Sequence, residues 1–223
     1  MLREAKGNMY DFITHTWNPI KGKCYHDCSY CYMKRWGAQK PLRLDERELK
    51  TDLGSGNFIF VGSSTDMFAR DVETPMIESV LKKMSEYDNH YLLQTKDPDE
   101  FKHFFLIMPE KTSLCTTIET NRYYENIMGN APHPLFRAMS MSWIKKFRKY
   151  ITIEPIIDFD LDMFATVIKA SNPAQVNIGA DSGRNNLPEP PREKVLELIS
   201  ELEKFTKVVI KSNLHRIIGG NHG

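Results

Sequence analysis

The chain has 223 residues, of which 41% are hydrophobic and 26% are charged, and its formal net charge is +1. These values are typical of a folded globular protein and exclude a highly charged or low-complexity chain. No apolar run reaches membrane-spanning length, and the first residues lack the apolar core of a signal peptide. We therefore expect a single cytoplasmic domain over residues 1–223, with no membrane partner.

Short apolar runs alternate with helical patterns along the chain. Residues 1–23 comprise an N-terminal segment and a first strand at residues 10–16. Apolar runs bounded by Gly, Pro, Asp or Asn predict further strands at residues 58–61, 91–95, 113–118, 150–153, 175–178 and 207–210. Apolar stripes predict helices that begin near Thr74, Asp97, Phe136, Leu161 and Pro191.

The alternation of strands and helices indicates parallel strands joined by crossover helices. About seven strands are too few for a full eightfold barrel, so we expect an α/β fold with a partial (β/α) barrel of six or seven parallel strands. Residues 126–153 contain basic and aromatic residues but no acidic one, as some nucleic-acid-binding surfaces do. Because Phe136, Met139, Trp143 and Phe147 share one helical face, we expect that face to be core, and Leu196 to point inward from the last helix.

Three cysteines lie within the eight-residue loop 24–31, at Cys24, Cys28 and Cys31. Three thiolates form a soft ligand set that suits an iron–sulfur cluster or zinc. A cubane cluster held by three cysteines keeps one iron open for a ligand that the protein does not supply. The fourth cysteine, Cys115, lies in an apolar strand and is expected to be a buried hydrophobic residue.

The C-x3-C-x2-C spacing, with Tyr30 before the third cysteine, resembles the cluster loop of the radical S-adenosylmethionine (radical SAM) superfamily. The strand ends at residues 60–66, 94–96, 117–119, 153–155 and 178–183 are similar to those of a radical SAM-like family of phages and bacteria that has no established reaction. More distantly, Cys31-Tyr32 and Glu154-Pro155 resemble the spore photoproduct lyase group of DNA-repair enzymes.

The resemblance implies a radical SAM core over the whole chain, with a 4Fe–4S cluster on Cys24, Cys28 and Cys31 and S-adenosylmethionine on the open iron. One electron, from a reductase or a flavodoxin-like donor, cleaves S-adenosylmethionine to a 5′-deoxyadenosyl radical. That radical abstracts hydrogen from a substrate, which we hypothesise to be a nucleic acid or a nucleotide.

The candidate site residues follow from the position of the strand ends, because function gathers at the carboxyl ends of parallel strands. The resemblance implies that S-adenosylmethionine contacts Tyr30, Ser63, Ser64, Asp66, Thr95, Lys96, Thr117, Glu119, Ile178 and Gly179. Three further polar groups are candidates to face the substrate in a catalytic role: Glu154, Asp181 and Lys211.

Two alternatives stay open at the level of sequence. The Gly-Gly-Glu motif usual after the second strand is absent, and residues 62–66 stand in its place, which favours an iron–sulfur binding protein without radical chemistry. A zinc-stabilised structural module would use three thiolates plus His26 or Cys115. If no zinc is bound, we expect both His15 and His26 to lie at the surface.

Overall fold

The computed structural model describes residues 1–7 and 9–219, and the glycine-rich tail that follows lies outside the described residues. Its strands, in chain order, are β1 (Arg3–Glu4), β2 (His15–Trp17), β3 (Ile20–Lys21), β4 (Arg43–Leu44), β5 (Phe58–Val61), β6 (His90–Thr95), β7 (Thr112–Thr117), β8 (Arg148–Ile153), β9 (Gln175–Ile178) and β10 (Lys207–Ile210). No helix of the described part is both long and apolar enough to span a membrane.

One eight-stranded sheet organises the molecule, with the order β1-β2-β5-β6-β7-β8-β9-β10. Seven of its strands are parallel, from β2 to β10, and β1 runs antiparallel to β2 at one edge. Strands β3 and β4 form a separate antiparallel pair. Because successive parallel strands are neighbours, all their carboxyl ends meet at one edge of the sheet. The predicted count of six or seven parallel strands is confirmed.

Helices connect the strands and cover the sheet. The α-helices are α1 (Glu46–Leu49), α2 (Thr74–Ser85), α3 (Glu125–Met128), α4 (Pro134–Trp143), α5 (Leu161–Ser171), α6 (Arg192–Glu203) and α7 (His215–Ile218). Short 3-10 helices occupy Tyr32–Trp36, Pro98–Phe104 and Ser212–Leu214. Proline at the first turn of α2 and α4 fits its fixed backbone angle, and α5 ends at Asn172 in the left-handed conformation.

Buried apolar side chains form two large clusters and a smaller one. The first cluster joins β5, β6 and β7 to α2 and the 3-10 helix Pro98–Phe104. The second joins β8 and β9 to α5 and α6. The third lies on the inner side of the sheet, where Tyr10 and Ile13 pack with Phe60, Leu92 and Tyr150. The N-terminal segment therefore fills part of the barrel interior.

Three expectations about individual elements are wrong. The first strand is His15–Trp17, because the preceding residues turn at Tyr10 to enter the barrel interior. Helix α4 exposes Phe136, Met139 and Trp143 instead of burying them. Helix α6 buries Leu198, and Leu196 is 37% exposed.

Candidate active site

A cavity of about 630 Å³ opens at the carboxyl edge of the parallel strands. The predicted site residues that line it are Cys24, Cys28, Tyr30, Cys31, Ser63, Ser64, Asp66, Thr95, Lys96, Thr117, Glu154, Asp181 and Lys211. Three others lie outside its wall: Glu119, Ile178 and Gly179. The fold thus gathers residues from six strand ends and from the cysteine loop around one space.

The cysteine loop is supported from behind by the segment 124–133. Ser29 N donates to Ile127 O at 2.9 Å, and Asn130 N donates to His26 O at 2.8 Å. Gly129 has φ +59°, and a Cβ at this position would lie 2.2 Å from His26 O. Only glycine fits this backbone angle and this close approach without strain, so the sequence 124–133 is shaped to hold the loop.

His26 is buried, which corrects the expectation that it lies at the surface. Its Nε2 is 2.8 Å from Asp66 Oδ2. Asp66 also accepts hydrogen bonds from Thr95 Oγ1 at 2.9 Å and Lys96 N at 2.8 Å. Burial alone would raise the pKa of Asp66, but His26 and the hydrogen-bond donors outweigh it and lower that pKa. Asp66 therefore connects the cysteine loop to the end of β6.

Asn18 organises the loop that follows β5. Its Oδ1 accepts hydrogen bonds from Ser63 Oγ at 3.1 Å, Ser64 Oγ at 3.0 Å and Ser64 N at 2.9 Å. Because both hydroxyl hydrogens are directed at Asn18, the two serine oxygens have lone pairs available to accept hydrogen bonds.

Tyr30 covers a buried charge pair. Its hydroxyl donates to Glu119, whose Oε2 lies 2.8 Å from Arg137 Nη1, and both charged side chains are fully buried. Lys96 Nζ lies 5.3 Å from the centre of the Tyr30 ring. Burial alone would raise the pKa of Glu119, but Arg137 and Lys96 outweigh it and hold that pKa below its ordinary value of 4.5. Glu119 thus supports the cavity wall from behind.

The opposite side of the cavity contains a second charge pair. Lys211 Nζ donates to Glu154 Oε2 at 2.6 Å, and Asn213 Nδ2 donates to Glu154 Oε1 at 2.7 Å. Lys211 Nζ also lies 4.9 Å from the centre of the Tyr10 ring. Burial raises the pKa of Tyr10 well above its ordinary value. At Gly179 a Cβ would lie 2.7 Å from Glu154 Oε1, so glycine lets the carboxylate approach β9.

Asp181 organises the loop after β9. Its carboxylate accepts hydrogen bonds from Gly183 N at 2.8 Å and from the backbone and side-chain nitrogens of Asn185. Arg35 Nη2 donates to Ser182 O at 2.8 Å, which links the segment after the cysteines to this loop across the cavity.

Several of these partners escaped sequence reasoning, namely Tyr10, Asn18, His26, Arg137 and Asn213. Each lies far along the chain from its partner, as Arg137 does from Glu119. Proximity in sequence gives no signal for such pairs. Asn18 and Asn213 each lie just after a strand, and this position is the weak local signal among the five.

The cysteines fit an iron–sulfur cluster. All three are free thiols that line the same cavity. Burial raises the pKa of Cys24 to about 12 and also raises that of Cys28, so these thiols need a bound cation to become thiolates. Within the described residues, no three His, Cys, Asp or Glu side chains converge on a point suited to one metal ion. A cubane does not require such convergence, because each thiolate binds a different iron.

The architecture is an α/β fold with a partial barrel, as predicted, and it matches solved structures of spore photoproduct lyase. One variant of that enzyme superposes with a TM-score of 0.62 and 11% identity, over 93% of this chain and 79% of the other. A second variant, with bound AdoMet and dinucleoside spore photoproduct, has a TM-score of 0.57 and 12% identity, over 89% of this chain and 64% of the other.

Sequence comparisons add no relative to these structural matches. No family model matches the chain, and no curated protein matches it. The narrower resemblance to the phage and bacterial family therefore stays a prediction.

Proposed function

We propose that this chain is a radical SAM enzyme that binds a 4Fe–4S cluster through Cys24, Cys28 and Cys31 and cleaves S-adenosylmethionine reductively. The observation that carries the proposal is the convergence of the three cysteines with polar strand ends on one cavity in a fold of this type. When bound, the cluster and S-adenosylmethionine supply a 5′-deoxyadenosyl radical that abstracts a hydrogen atom from the substrate. The protein contributes binding, orientation and exclusion of water.

The cavity wall beside the cysteines has the chemistry to bind the methionine part of S-adenosylmethionine. The lone pairs of Ser63 and Ser64, oriented by Asn18, suit an ammonium group. Among the described residues, no Asp or Glu carboxylate lies within salt-bridge distance of Lys96. Its ammonium group can therefore bind the carboxylate of the methionine part. We assign the adenosine contacts to Tyr30, Thr117 and Ala180, which follows β9 and lines the cavity in place of Ile178 and Gly179. Asp66 and Thr95 position the loop. Glu119, behind Tyr30, positions that wall.

We place the substrate on the opposite side of the cavity, beside Glu154, Lys211 and the Asp181 loop. Exposed cations lie around the mouth, at Lys6, Lys23, Lys34 and Arg35, and outnumber Asp27, the acid there that pairs with Lys23 and Lys34. A cationic rim suits a phosphate backbone. A dinucleoside is bound in one of the similar structures, which supports a nucleic acid or a nucleotide as the substrate. We expect the enzyme to act in the cytoplasm, where a reductase or a flavodoxin-like donor supplies the electron.

Anaerobic reconstitution tests the proposal. We expect iron and acid-labile sulfide in the ratio of a 4Fe–4S cluster, and 5′-deoxyadenosine after addition of dithionite and S-adenosylmethionine. Alanine at Cys24, Cys28 or Cys31 should abolish both. Cys115→Ala is the matched control, because this fourth cysteine is fully buried in β7 and lies outside the cavity wall.

Other results would lead to other functions. Iron and sulfide without 5′-deoxyadenosine would make the chain an iron–sulfur binding protein, and one zinc without iron would make it a zinc-stabilised module. The substrate class is tested by anisotropy of a labelled single-stranded oligonucleotide at low salt. Binding should weaken in the double variant Lys34→Ala/Arg35→Ala and with added salt. No binding by the wild type would reject the nucleic acid and leave the enzyme class standing.

A further inference from the structure

Helix α4 presents large apolar side chains to solvent. Phe136 is 61% exposed, Met139 52% and Trp143 76%. Their spacing places them on one face of the helix, while Arg137, Ala138 and Met141 occupy the buried face. Contiguous exposed apolar surface on a soluble domain is typical of an interaction site.

This face continues toward the carboxyl edge of the sheet. Tyr123 is 44% exposed and stacks on His133, with ring centres 5.1 Å apart. His133 in turn contacts Phe136 with ring centres 5.8 Å apart. We call the set Tyr123, His133, Phe136, Met139 and Trp143 the aromatic stripe.

The aromatic stripe adjoins the back of the cysteine loop by two routes. The segment that carries Tyr123 and His133 bonds directly to the loop at Ser29 N and His26 O. On the inner face of α4, Arg137 forms an ion pair with Glu119, and Glu119 accepts a hydrogen bond from the hydroxyl of Tyr30. The Tyr123–His133 end of the stripe therefore belongs to the segment that supports the cysteine loop from behind.

The charge is positive around the C-terminal end of α4, where the aromatic stripe ends at Trp143. Lys145, Lys146 and Arg148 are exposed just beyond α4, and residues 126–153 contain no acidic side chain. Lys146 also donates to Phe105 O at 3.2 Å, which holds its cation beside the apolar residues Leu106 and Ile107. Two copies of this surface would repel each other, whereas an acidic surface would be attracted.

We propose that the aromatic stripe is the docking surface of a small acidic flavoprotein that delivers the electron to the cluster. This inference rests on the proposed function, in which each cleavage consumes one electron. Three of the four cysteines form the cluster loop and Cys115 is buried alone in β7, so the chain's cysteines provide one cluster. The electron must come from another molecule: the flavin of the carrier loses it, the cluster gains it, and it then enters the sulfonium–carbon bond that breaks.

The test compares two sources of electrons on the same reconstituted protein. One assay uses dithionite, and the other uses purified flavodoxin with its NADPH-dependent reductase; both measure 5′-deoxyadenosine. We expect the variant Phe136→Gln/Met139→Gln/Trp143→Gln to lose at least tenfold in the flavodoxin-driven rate and to keep the dithionite-driven rate. Lys145→Glu/Lys146→Glu should raise the KM for flavodoxin, and added salt should have the same effect on the wild type.

The controls alter similar residues elsewhere. Leu196→Gln changes an exposed apolar residue on α6, and Lys207→Glu changes an exposed lysine on β10. Both should behave as wild type in both assays.

The possible outcomes separate the inference from the proposed function. A wild type that is inactive with dithionite defeats the proposed function itself. A wild type driven by dithionite but not by flavodoxin, or a triple variant as fast as wild type with flavodoxin, overturns the docking surface. The docking surface would also be overturned if the only effect of the triple variant were the loss of a dimer in light scattering. The same holds if its only effect were the loss of sedimentation with phosphatidylglycerol vesicles.

Discussion

Arg137 and Glu119 form an ion pair 2.8 Å apart, and neither side chain has any exposed surface. Arg137 Nη1 also donates to Thr117 O at 2.9 Å, and its Nε donates to Pro132 O. The pair therefore connects the inner face of α4 to the carboxyl end of β7 and, through Tyr30, to the cysteine loop. Its geometry relates the position of a surface helix to the wall of the cavity.

Removing Arg137 should destabilise the protein strongly. Arg137→Met leaves the Glu119 carboxylate buried without its cation, and we expect a loss of about 3–5 kcal/mol in the free energy of unfolding. Urea denaturation of the anaerobic protein measures this loss. The control is Arg148→Met, an exposed arginine on β8, which should cost under about 1 kcal/mol. An Arg137→Met variant as stable as that control would contradict the structure.

The same pair should contribute to acid sensitivity. Because the pKa of Glu119 is lower in the folded protein than its ordinary value of 4.5, the unfolded state binds the proton more readily. The stabilisation is then present above pH 4.5 and is lost as the pH falls through the lower, folded pKa. The double variant Arg137→Met/Glu119→Leu should lack this part of the pH dependence when apoprotein is unfolded between pH 6 and pH 3. If the double variant lost as much stability as the wild type between pH 6 and pH 3, Glu119 would not be a source of the acid sensitivity.

Gly129 should be essential for cluster assembly. An alanine there would place its Cβ 2.2 Å from His26 O, which is backbone, so the cysteine loop must shift. We expect Gly129→Ala to reduce the iron bound per chain after reconstitution at least severalfold.

Gly56→Ala is the matched control for this change, because Gly56 has φ +73° and no atom within 4 Å of the added Cβ. Both variants pay the backbone penalty of about 1–2 kcal/mol for a positive φ. Only Gly129→Ala should also lose iron, and equal iron content in the two variants would disprove the role of Gly129.

Gly179 should control the charge pair on the substrate side. The Cβ of Gly179→Ala would lie 2.7 Å from Glu154 Oε1 and 2.9 Å from Asn213 Oδ1, so the ends of these two flexible side chains must move aside. Glu154 would then release Lys211. We expect little change in melting temperature and faster acetylation of Lys211 by acetic anhydride, followed by peptide mass spectrometry. Lys207 is the internal control, since it is exposed in both proteins, and an unchanged ratio of Lys211 to Lys207 labelling would contradict the expectation.

The parallel strands after the cysteine loop are predictable because each combines a short apolar run with clear punctuation, whereas the two-residue strand β4 has no such pattern. The strands β9 and β10 have the predicted bounds, since Pro173 precedes the first and a polar turn follows the second. The first strand begins later than predicted, because Tyr10 and Ile13 are residue types typical of strands but are buried in a turn segment that packs inside the barrel. Local pattern does not distinguish these two ways of burying an aromatic side chain.

The face of α4 was misassigned for a related reason. A helical stripe of Phe136, Met139 and Trp143 normally predicts the buried face. Here the buried face contains Arg137, whose burial is tolerated because Glu119 neutralises it from a different element. The strand-end candidates converged as the topology predicts, while the partners that position them, such as Asn18 for Ser63, required the three-dimensional structure.

The sheet ends at β10, which has a neighbouring strand on one side only within the described residues. Such an edge offers free N–H and C=O groups to any extended chain, and charged side chains are the usual protection. Lys207 provides that protection at one end of the strand, but Ile210, 38% exposed, leaves the other end apolar. Concentrated protein should therefore self-associate through this edge, and lysine in place of Ile210 offers a direct way to keep samples monodisperse.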